Sequence, residues 1–443
     1  MWLAKVITLC FNWRMEQLTL DTPISQQQAD ELTIMAAKAF QPRSPISTRE
    51  FFAGRWEQLT TVADSVSQKG LHVIIFGERG VGKTSLANIV EPLLQVLEER
   101  PGKPAPDRLV IKVNVHQGDS FGAAWTRVFE EVSWIGNKPV IGLAPQTEKE
   151  RISLKSAFEI SDSPSIDEVR RSLSALPGSV FIFDEFDRGI ATIRTAFTDL
   201  IKALSDYAVD STIVLVGVSD TIDHLINDHA SIIRSLVQIQ LPRMKEKELV
   251  EILEKGAKVL GIAFDSGASS LIVRMSQGLP HYTHLIGLHS SREAINRLSR
   301  IVRVQDVHKS FNKAVKQAVQ SIQEKYLRAI HSAHKDALYT EVILACAVAS
   351  SAAKDALGYF HPSDIISPLN AILRRSNVIA ATFQKHINEF CETERGPVLQ
   401  RHGVARAYKY RFHDPLLPPY IFMNCLAEGV LDTTQLQQLT ASS

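Results

Sequence analysis

Residues 77–84 decide the fold of this chain; they read Gly77-Glu78-Arg79-Gly80-Val81-Gly82-Lys83-Thr84. The apolar run before them, residues 72–76, predicts a buried strand, and the run that begins at Ser85 predicts a helix. A glycine-rich loop between a strand and a helix directs backbone N–H groups at a phosphate, and the positive end of the helix dipole strengthens the attraction. The pattern G-x-x-x-x-G-K-[ST] in this setting predicts a phosphate-binding loop, with residues 77–85 as nucleotide contacts.

The last two side chains of this loop have distinct predicted roles. We expect Lys83 to reach the β- and γ-phosphates of ATP and the Thr84 hydroxyl to bind Mg²⁺. The alternative interpretation is a glycine-rich turn with a surface lysine. The strand before the loop and the helix after it favour the nucleotide site.

Two acids directly follow another apolar strand. Residues 180–183 are apolar, and Asp184 and Glu185 come next. The carboxyl ends of parallel strands meet at one edge of a sheet, so these acids are expected beside the phosphate loop. We expect Asp184 to organise Mg²⁺, directly or through water, and Glu185 to orient the attacking water. The alternative is an acidic turn after a core strand. Asp187 is expected to be a solvated loop acid, with a further site acid as the alternative.

The composition is that of a soluble globular protein with two or three domains: 443 residues, 45% hydrophobic and 22% charged. A net charge of +1 argues against a surface coated in basic charge, so any DNA contact needs a local patch. No apolar run approaches the roughly 20 residues of a membrane span. We expect a cytoplasmic protein with reduced thiols, because four cysteines are scattered without metal-binding spacing: Cys10, Cys346, Cys391 and Cys425. Met15 is an alternative start.

Strands that alternate with helices predict an α/β core whose parallel sheet is covered on both faces. Residues 15–50 are polar and contain three prolines, so a loosely structured arm is expected there, and residues 136–164 are expected to form an irregular insertion. The predicted divisions are an N-terminal arm or linker (1–50), a nucleotide-binding core (51–244), a helical lid (245–300), a linker helix (301–335) and a C-terminal winged-helix domain (336–443).

The order of these motifs resembles that of an AAA+ ATPase. It is most similar to the branch that contains the replication-initiator (origin-recognition-like) ATPases and transposon-encoded regulators. Phe52-Ala53-Gly54-Arg55 matches the F-x-G-R element that these proteins carry before the first strand. The resemblance covers about residues 45–300 and, more loosely, 335–430. It implies an AAA+ αβα core, a helical lid, ATP and Mg²⁺ as ligands, and a homo-oligomer or a bound effector protein.

Three further residues take their expected roles from the resemblance. Asp220, or Ser219 beside it, stands in place of the sensor 1 asparagine, and an acid there sets like charge beside the triphosphate. Arg234 stands where the family keeps an arginine finger for a neighbouring subunit's nucleotide, with a plain surface arginine as the alternative. His281 replaces the sensor 2 arginine, with a packing histidine as the alternative. Asp220 and His281 together imply slow hydrolysis.

The C-terminal residues predict three helices followed by a β-hairpin, which resembles a winged helix-turn-helix. The hairpin is expected to bind duplex DNA through its basic residues, namely Arg401, Arg406, Lys409 and Arg411. Glu389, Glu392 and Glu394 on and after the third helix weaken this interpretation. A protein-interaction wing and a structural cap are the alternatives, and residues 413–415 are expected to form a turn.

The sequence thus favours an ATP-gated switch that binds or remodels DNA. One alternative is a STAND-type signalling ATPase whose tail holds the nucleotide site closed until a trigger arrives. A second is a scaffolding ATPase that recruits a nuclease or a transposase.

Overall fold

The computed structural model describes residues 23–98, 108–140, 146–176, 178–219, 225, 232–334, 337–352, 358–404, 407–431, 435 and 439. The helices in these ranges are α1 (Gln26–Ala39), α2 (Trp56–Val66), α3 (Lys83–Glu98), α4 (Phe121–Glu131), α5 (Leu154–Ala157), α6 (Ile166–Ser174), α7 (Ala191–Asp206), α8 (Glu246–Leu260), α9 (Ser266–Ser276), α10 (Pro280–Asn296), α11 (Val304–Gln317), α12 (Gln320–Ile330), α13 (Tyr339–Ser351), α14 (Ser363–Leu373), α15 (Ala380–Phe390) and α16 (Leu417–Ala427). The strands are β1 (His72–Gly77), β2 (Val110–Asn114), β3 (Ser133–Val140), β4 (Gln146–Ser153), β5 (Ser179–Asp184), β6 (Ser211–Val218), β7 (Leu236–Gln240), β8 (Ala263–Phe264), β9 (Ile301–Val302), β10 (Leu399–His402) and β11 (Lys409–Phe412).

Five parallel strands form the central sheet, in the order β2-β5-β6-β1-β7. Successive residues of a strand point to opposite faces of the sheet, so helices must pack on each face to bury its apolar side chains. Ile182 of β5 lies in the core that includes α3, whereas Phe181 and Phe183 lie in the core on the other face, with Trp125 of α4. The predicted α/β core, a parallel sheet covered by helices on both faces, is confirmed.

The strand order places the predicted site residues at one edge of this sheet. Strand β1 ends at Gly77, where the phosphate loop begins, and β5 ends at Asp184. Strand β6 lies between them and ends at Val218. Because all three strands are parallel, their carboxyl ends open onto the same space, which is where ligands bind in such sheets.

The N-terminal arm contains a helix that the sequence analysis missed. Helix α1 begins after a capping box in which Ser25 and Gln28 exchange side-chain and backbone hydrogen bonds. Ala29, Ala36 and Ala39 are buried, and α1 packs against α8 and α10 of the predicted lid. Small alanines give a weak apolar stripe in a polar segment, so the expectation of a loosely structured arm is wrong here.

The expected irregular insertion is also wrong in part. Strands β3 and β4 pair antiparallel from Ser133 opposite Ser153 to Val140 opposite Gln146. The neighbouring strand supplies the backbone hydrogen bonds, and this pairing overrides the low strand propensity of a segment that contains Gly136 and Pro139.

The C-terminal unit, defined as α13 to α16 with the β10–β11 hairpin, has the predicted order of three helices followed by a hairpin. A fourth helix, α16, follows and packs against α11 and α13. The Tyr326 and Tyr420 rings meet edge to face at 5.5 Å between α12 and α16. These contacts attach the C-terminal unit to the helices that precede it.

Of the described cysteines, Cys346, Cys391 and Cys425 are free thiols, and Cys10 lies outside the described residues. No helix in the described part of the chain combines the length and the hydropathy that a membrane crossing requires.

Two buried histidines are expected to lower the free energy of unfolding in acid. His72 accepts the Ile213 N–H on Nδ1 at 3.0 Å, and His284 accepts the Gln41 N–H on Nδ1 at 3.4 Å. Burial lowers the pKa of His72 to about 3 and that of His284 to about 4. These folded-state pKa values lie below the unfolded-state value, so the unfolded state binds more protons and stability falls as the pH drops below 6.5. We expect each histidine to remove roughly 1.4 kcal/mol for every pH unit between about 6.5 and 4.

Urea unfolding between pH 7.5 and 5 measures this loss. His72→Gln is expected to reduce the slope of the free energy of unfolding against pH. His402→Gln, at an exposed hairpin position, is expected to leave that slope unchanged. A free energy of unfolding that stays constant across this range would contradict the prediction.

Candidate nucleotide-binding site

The phosphate loop has a backbone that only glycine accommodates at two points. Gly77 has φ of +152°, and a Cβ there would lie 2.4 Å from the Leu241 carbonyl oxygen. Gly80 has φ of +87°, and a Cβ there would lie 2.9 Å from a methyl group of Leu416. Leu241, just after β7, and the C-terminal unit therefore both approach the loop closely, and side chains at these positions are excluded.

Lys83 lies folded over the loop that it belongs to. Its Nζ donates to the carbonyl oxygens of Gly77 at 2.9 Å and Glu78 at 2.8 Å, and the residue is only 8% exposed. Burial lowers the pKa of Lys83 to about 8, although the nearby carboxylates of Asp187 and Asp184 act in the opposite direction. The loop thus holds a largely desolvated amine where a phosphate would bind.

Asp184 points into the sheet edge and is almost fully buried. Its Oδ1 accepts the Glu185 N–H at 2.9 Å, and its Oδ2 lies 2.9 Å from the Nζ of Lys112. Lys112 is not among the site residues predicted from the sequence. The sequence does contain a sign of this contact, because a lysine in the middle of an apolar strand needs a polar or charged partner when it is buried.

Glu185 lines the cleft and is more exposed than Asp184. Its backbone is left-handed, with φ of +56°, and its carboxylate pairs with Arg188 at 3.0 Å. The side chain is 38% exposed. The two acids therefore occupy different environments, one enclosed and one at the surface of the cleft.

Asp187 is part of the site, although the sequence analysis expected a solvated loop acid. Its Oδ1 accepts the Val218 N–H at 2.7 Å, and the residue is half-buried. This bond joins the loop after β5 to the end of β6. Gly217 allows the contact, because a Cβ there would lie 3.2 Å from the same carboxylate oxygen.

These residues line one cleft of about 750 Å³. Loop residues 79–85 and the three acids form one side, and the lid residues His281 and His284 form another. Gly77 and Glu78 are not among the lining residues. The Thr84 hydroxyl and the Asp184 carboxylate are hard oxygen donors of the kind Mg²⁺ prefers, so the residues present fit this ion together with phosphate and water ligands.

Residues 41–46 lie across the cleft between the lid and α3. His281 Nδ1 donates to the Pro42 carbonyl at 2.6 Å, and the Ile46 N–H donates to Ser85 Oγ at 3.1 Å. Burial lowers the pKa of His281 most strongly, and the charge of Arg79 adds to the effect. His281 therefore lies in the cleft as a neutral ring near pH 7, with one nitrogen already committed to Pro42.

The F-x-G-R element fastens the loop to the junction of core and lid. Arg55 is 4% exposed, and its Nη2 donates to the carbonyls of Val81 at 3.3 Å and Pro242 at 2.5 Å. Its backbone N–H donates to Glu248 of α8 at 2.9 Å. Arg55 therefore joins the phosphate loop to the residues at the start of the predicted lid.

Arg243 makes a second connection of this kind. It pairs with Glu78 of the loop through Nε at 2.5 Å and Nη2 at 3.3 Å. Its Nη1 donates to the Gln277 carbonyl at 3.4 Å, just before the lid helix α10.

The C-terminal unit reaches the loop directly. Arg79 Nη1 lies 3.5 Å from Asp414 Oδ2, which Lys325 also contacts at 2.8 Å. The Leu416 side chain covers Gly80, and the Leu416 carbonyl accepts the Tyr282 hydroxyl at 2.5 Å. Residues 413–415 form the expected turn after the hairpin, but they also lie against the nucleotide site.

The remaining predicted residues lie apart from this cleft or outside the described residues. Arg234 is exposed in the turn before β7 and does not line the cleft of its own chain. Asp220 and Arg406 lie outside the described residues.

The hairpin register divides the basic residues predicted to bind DNA. His402 lies opposite Lys409, and Gln400 lies opposite Arg411, so these four share one face. Arg401 lies on the other face, where its guanidinium stacks on the Tyr408 ring at 4.8 Å. Arg411 stacks on Tyr359 at the same distance and is half-buried.

Comparison with known proteins identifies the family. The model of the family described as Novel STAND NTPase 1 matches residues 38–344, and the chain belongs to this family. No curated protein sequence matches the chain. Similar solved structures include Cdc6p from Pyrobaculum aerophilum (15% identity, TM-score 0.45, 89% of this chain and 99% of that one), the Aeropyrum pernix ORC2 protein in ADPNP–ADP complexes (13%, 0.45, 90% and 100%) and Drosophila ORC bound to DNA (14%, 0.43, 96% and 98%). The family membership confirms the prediction of a nucleotide-binding NTPase.

Proposed function

We propose that this chain is a nucleotide-controlled switch. It binds ATP with Mg²⁺ in the cleft, hydrolyses it slowly to ADP and phosphate, and repositions its C-terminal unit with the nucleotide state. The observation that carries the proposal is the contact of Asp414 and Leu416 with the phosphate loop. A bound phosphate and the C-terminal unit contact the same short loop, so each changes the affinity of the other.

The loop and the acids account for binding. The backbone N–H groups of residues 77–84 and the Lys83 ammonium take the phosphates. Thr84 and Asp184 would hold Mg²⁺, which would supply positive charge to neutralise the phosphates. Residues 41–46 line the part of the cleft left for the base and ribose.

The geometry supports slow hydrolysis. Glu185 is the residue we propose to orient water, and its pairing with Arg188 has to break before it can do so. Arg234, exposed outside its own cleft, is proposed to act on the nucleotide of a second copy, and Asp220 is proposed to stand at the sensor 1 position. His281 supplies at most one further hydrogen bond, because Pro42 already binds its Nδ1.

Among the alternatives of the sequence analysis, the closed signalling switch has the strongest support. Its defining feature is a tail that holds the nucleotide site, and residues 414–416 contact the phosphate loop. The family match points in the same direction. Opening of this contact is proposed to expose the surface that a second copy or an effector protein binds.

The proposal is tested by comparing the intact chain with ADP, with ATP and with a slowly hydrolysed ATP analogue. Light scattering and small-angle scattering report mass and radius of gyration. We expect a compact form with ADP and a larger or assembled form with the analogue. The same mass and radius in all three states would count against a switch.

DNA binding by the hairpin is the second candidate function. Lys409 and Arg401 are exposed basic residues on opposite faces of a two-stranded ribbon. Tyr408 and Tyr359 lie beside the arginines, and ribbons of this kind enter DNA grooves. The exposed basic residues are thus divided between the two faces of the hairpin, and the proposal is that both faces contact phosphates.

We expect the triple variant Arg401→Ala, Lys409→Ala, Arg411→Ala to lose most duplex affinity in a gel shift with the ATP analogue. If each residue contacts a phosphate, the slope of log K against log salt falls by about 1 per residue. The matched control is Arg170→Ala, Arg171→Ala on α6, which removes two arginines paired with Asp167. Unchanged affinity in the triple variant would leave a protein-binding or structural role for the hairpin.

A further inference from the structure

We propose that Lys112 is a built-in counter-cation for the metal-binding acid, and that Mg²⁺ must compete with it for Asp184. Lys112 stands in the middle of β2, on the face of the sheet that α3 covers. Its Nζ lies 2.9 Å from Asp184 Oδ2 and donates to Asn88 Oδ1 of α3 at 2.7 Å. The inference rests on the proposed use of Asp184 as a Mg²⁺ ligand.

The pair is enclosed rather than lying on the surface. The side chains are 25% exposed for Lys112 and 4% exposed for Asp184. A carboxylate removed from water needs charged or hydrogen-bonding partners, and here both oxygens have one, because Oδ1 accepts the Glu185 N–H. Asp184 is therefore held in place before any metal arrives, and the lysine is bound to the oxygen left for the metal.

The strand register explains why the two side chains meet. Lys112 lies opposite Ile182, two residues before Asp184, and residues two apart on a strand share a face. Asn88 fixes the ammonium from the helix side and donates to the Ile46 carbonyl at 3.3 Å. The lysine thus lies in a chain of bonds from the acid at the sheet edge to the segment that crosses the cleft.

The Lys112 ammonium, fixed beside the Asp184 carboxylate, weakens the binding of Mg²⁺ to that carboxylate. Lys112→Met keeps most of the length of the side chain and removes the charge. We expect the Mg²⁺ concentration for half-saturation to fall by about tenfold or more in this variant, because two like charges a few ångströms apart repel strongly where water is scarce.

The experiment titrates Mg²⁺ into the intact chain with fluorescent ADP in a chelator-buffered solution, and binding of Mn²⁺ alone is followed in parallel by electron paramagnetic resonance. Lys112→Arg keeps the charge and is expected to stay near the wild type. The matched control is Lys155→Met, which removes another ion-paired lysine that contacts Glu130 at 3.1 Å and Asp162 at 2.7 Å outside the cleft.

A half-saturating Mg²⁺ concentration that is unchanged or higher in Lys112→Met would overturn the inference. Failure of the wild type to bind nucleotide at any Mg²⁺ concentration would instead remove the proposed function. If Lys112→Met does not fold, Lys112→Gln is the second neutral variant and is expected to shift the titration in the same direction. Mg²⁺ is also expected to raise the melting temperature of a neutral variant more than that of the wild type, and an equal rise would count against the competition.

Discussion

Lys83→Ala is expected to weaken nucleotide binding by about 100-fold or more, since the ammonium is proposed to make charge-assisted hydrogen bonds to the β- and γ-phosphates. In the described structure the same Nζ is held by the Gly77 and Glu78 carbonyls, so it is already positioned over the loop. Calorimetry with a slowly hydrolysed ATP analogue and Mg²⁺ on the intact chain measures the change. Undiminished affinity would remove the assignment of this loop as the phosphate site.

The Lys83 result has two controls. Glu185→Gln is expected to keep nucleotide affinity and to lose hydrolysis, because the Glu185 carboxylate is proposed to orient the attacking water and not to hold the phosphates. Thermal unfolding separates loss of binding from loss of folding. Removing the buried amine takes away an unfavourable desolvation that lowers the pKa of Lys83 to about 8, so Lys83→Ala is expected to remain folded.

Loosening the C-terminal unit from the loop is expected to release nucleotide about tenfold faster, since a partly exposed ion pair contributes up to about 1 kcal/mol and an apolar contact adds to it. The variants are Arg79→Ala and Leu416→Ala, alone and combined. Asp414 is left intact, because it also holds Lys325 and accepts the Leu416 N–H. The release of fluorescent ADP after dilution into unlabelled ADP gives the rate.

The matched control for Arg79 is Arg171→Ala, an exposed arginine with an ion pair to Asp167 on α6. It is expected to release ADP at the rate of the wild type. Slower release from the Arg79 and Leu416 variants, or an unchanged rate in the combined variant, would mean that residues 414–416 do not close the site.

The parts of the site that could be predicted from sequence are those fixed by near neighbours in the chain. Residues 77–84 contain all the glycines, the lysine and the threonine of the motif. The residues that predict the flanking strand and helix lie directly beside them in the sequence. Asp184 and Glu185 likewise follow the strand that positions them. Each of these patterns is local, so one sequence was sufficient to predict it.

The contacts that were missed join residues far apart in sequence. Asp414 meets Arg79, and Lys112 meets Asp184, only after the sheet and the C-terminal unit are assembled. Asp187 gave a misleading signal, because an acid in a polar turn is usually solvated, and its bond to Val218 depends on the order of strands. Helix α1 was missed because its buried stripe consists of alanines, which carry little hydrophobic signal.

The pairing of Glu78 with Arg243 and of Arg79 with Asp414 has a consequence for how the G-x-x-x-x-G-K-[ST] pattern is understood. The pattern treats these two positions as free, because they make no side-chain contact that phosphate recognition demands. In this chain, Glu78 and Arg79 form the ion pairs that connect the loop to the base of the predicted lid and to the C-terminal unit. The specified positions of the motif thus determine which ligand binds. The unspecified positions determine which other parts of the protein contact the loop and respond to the ligand.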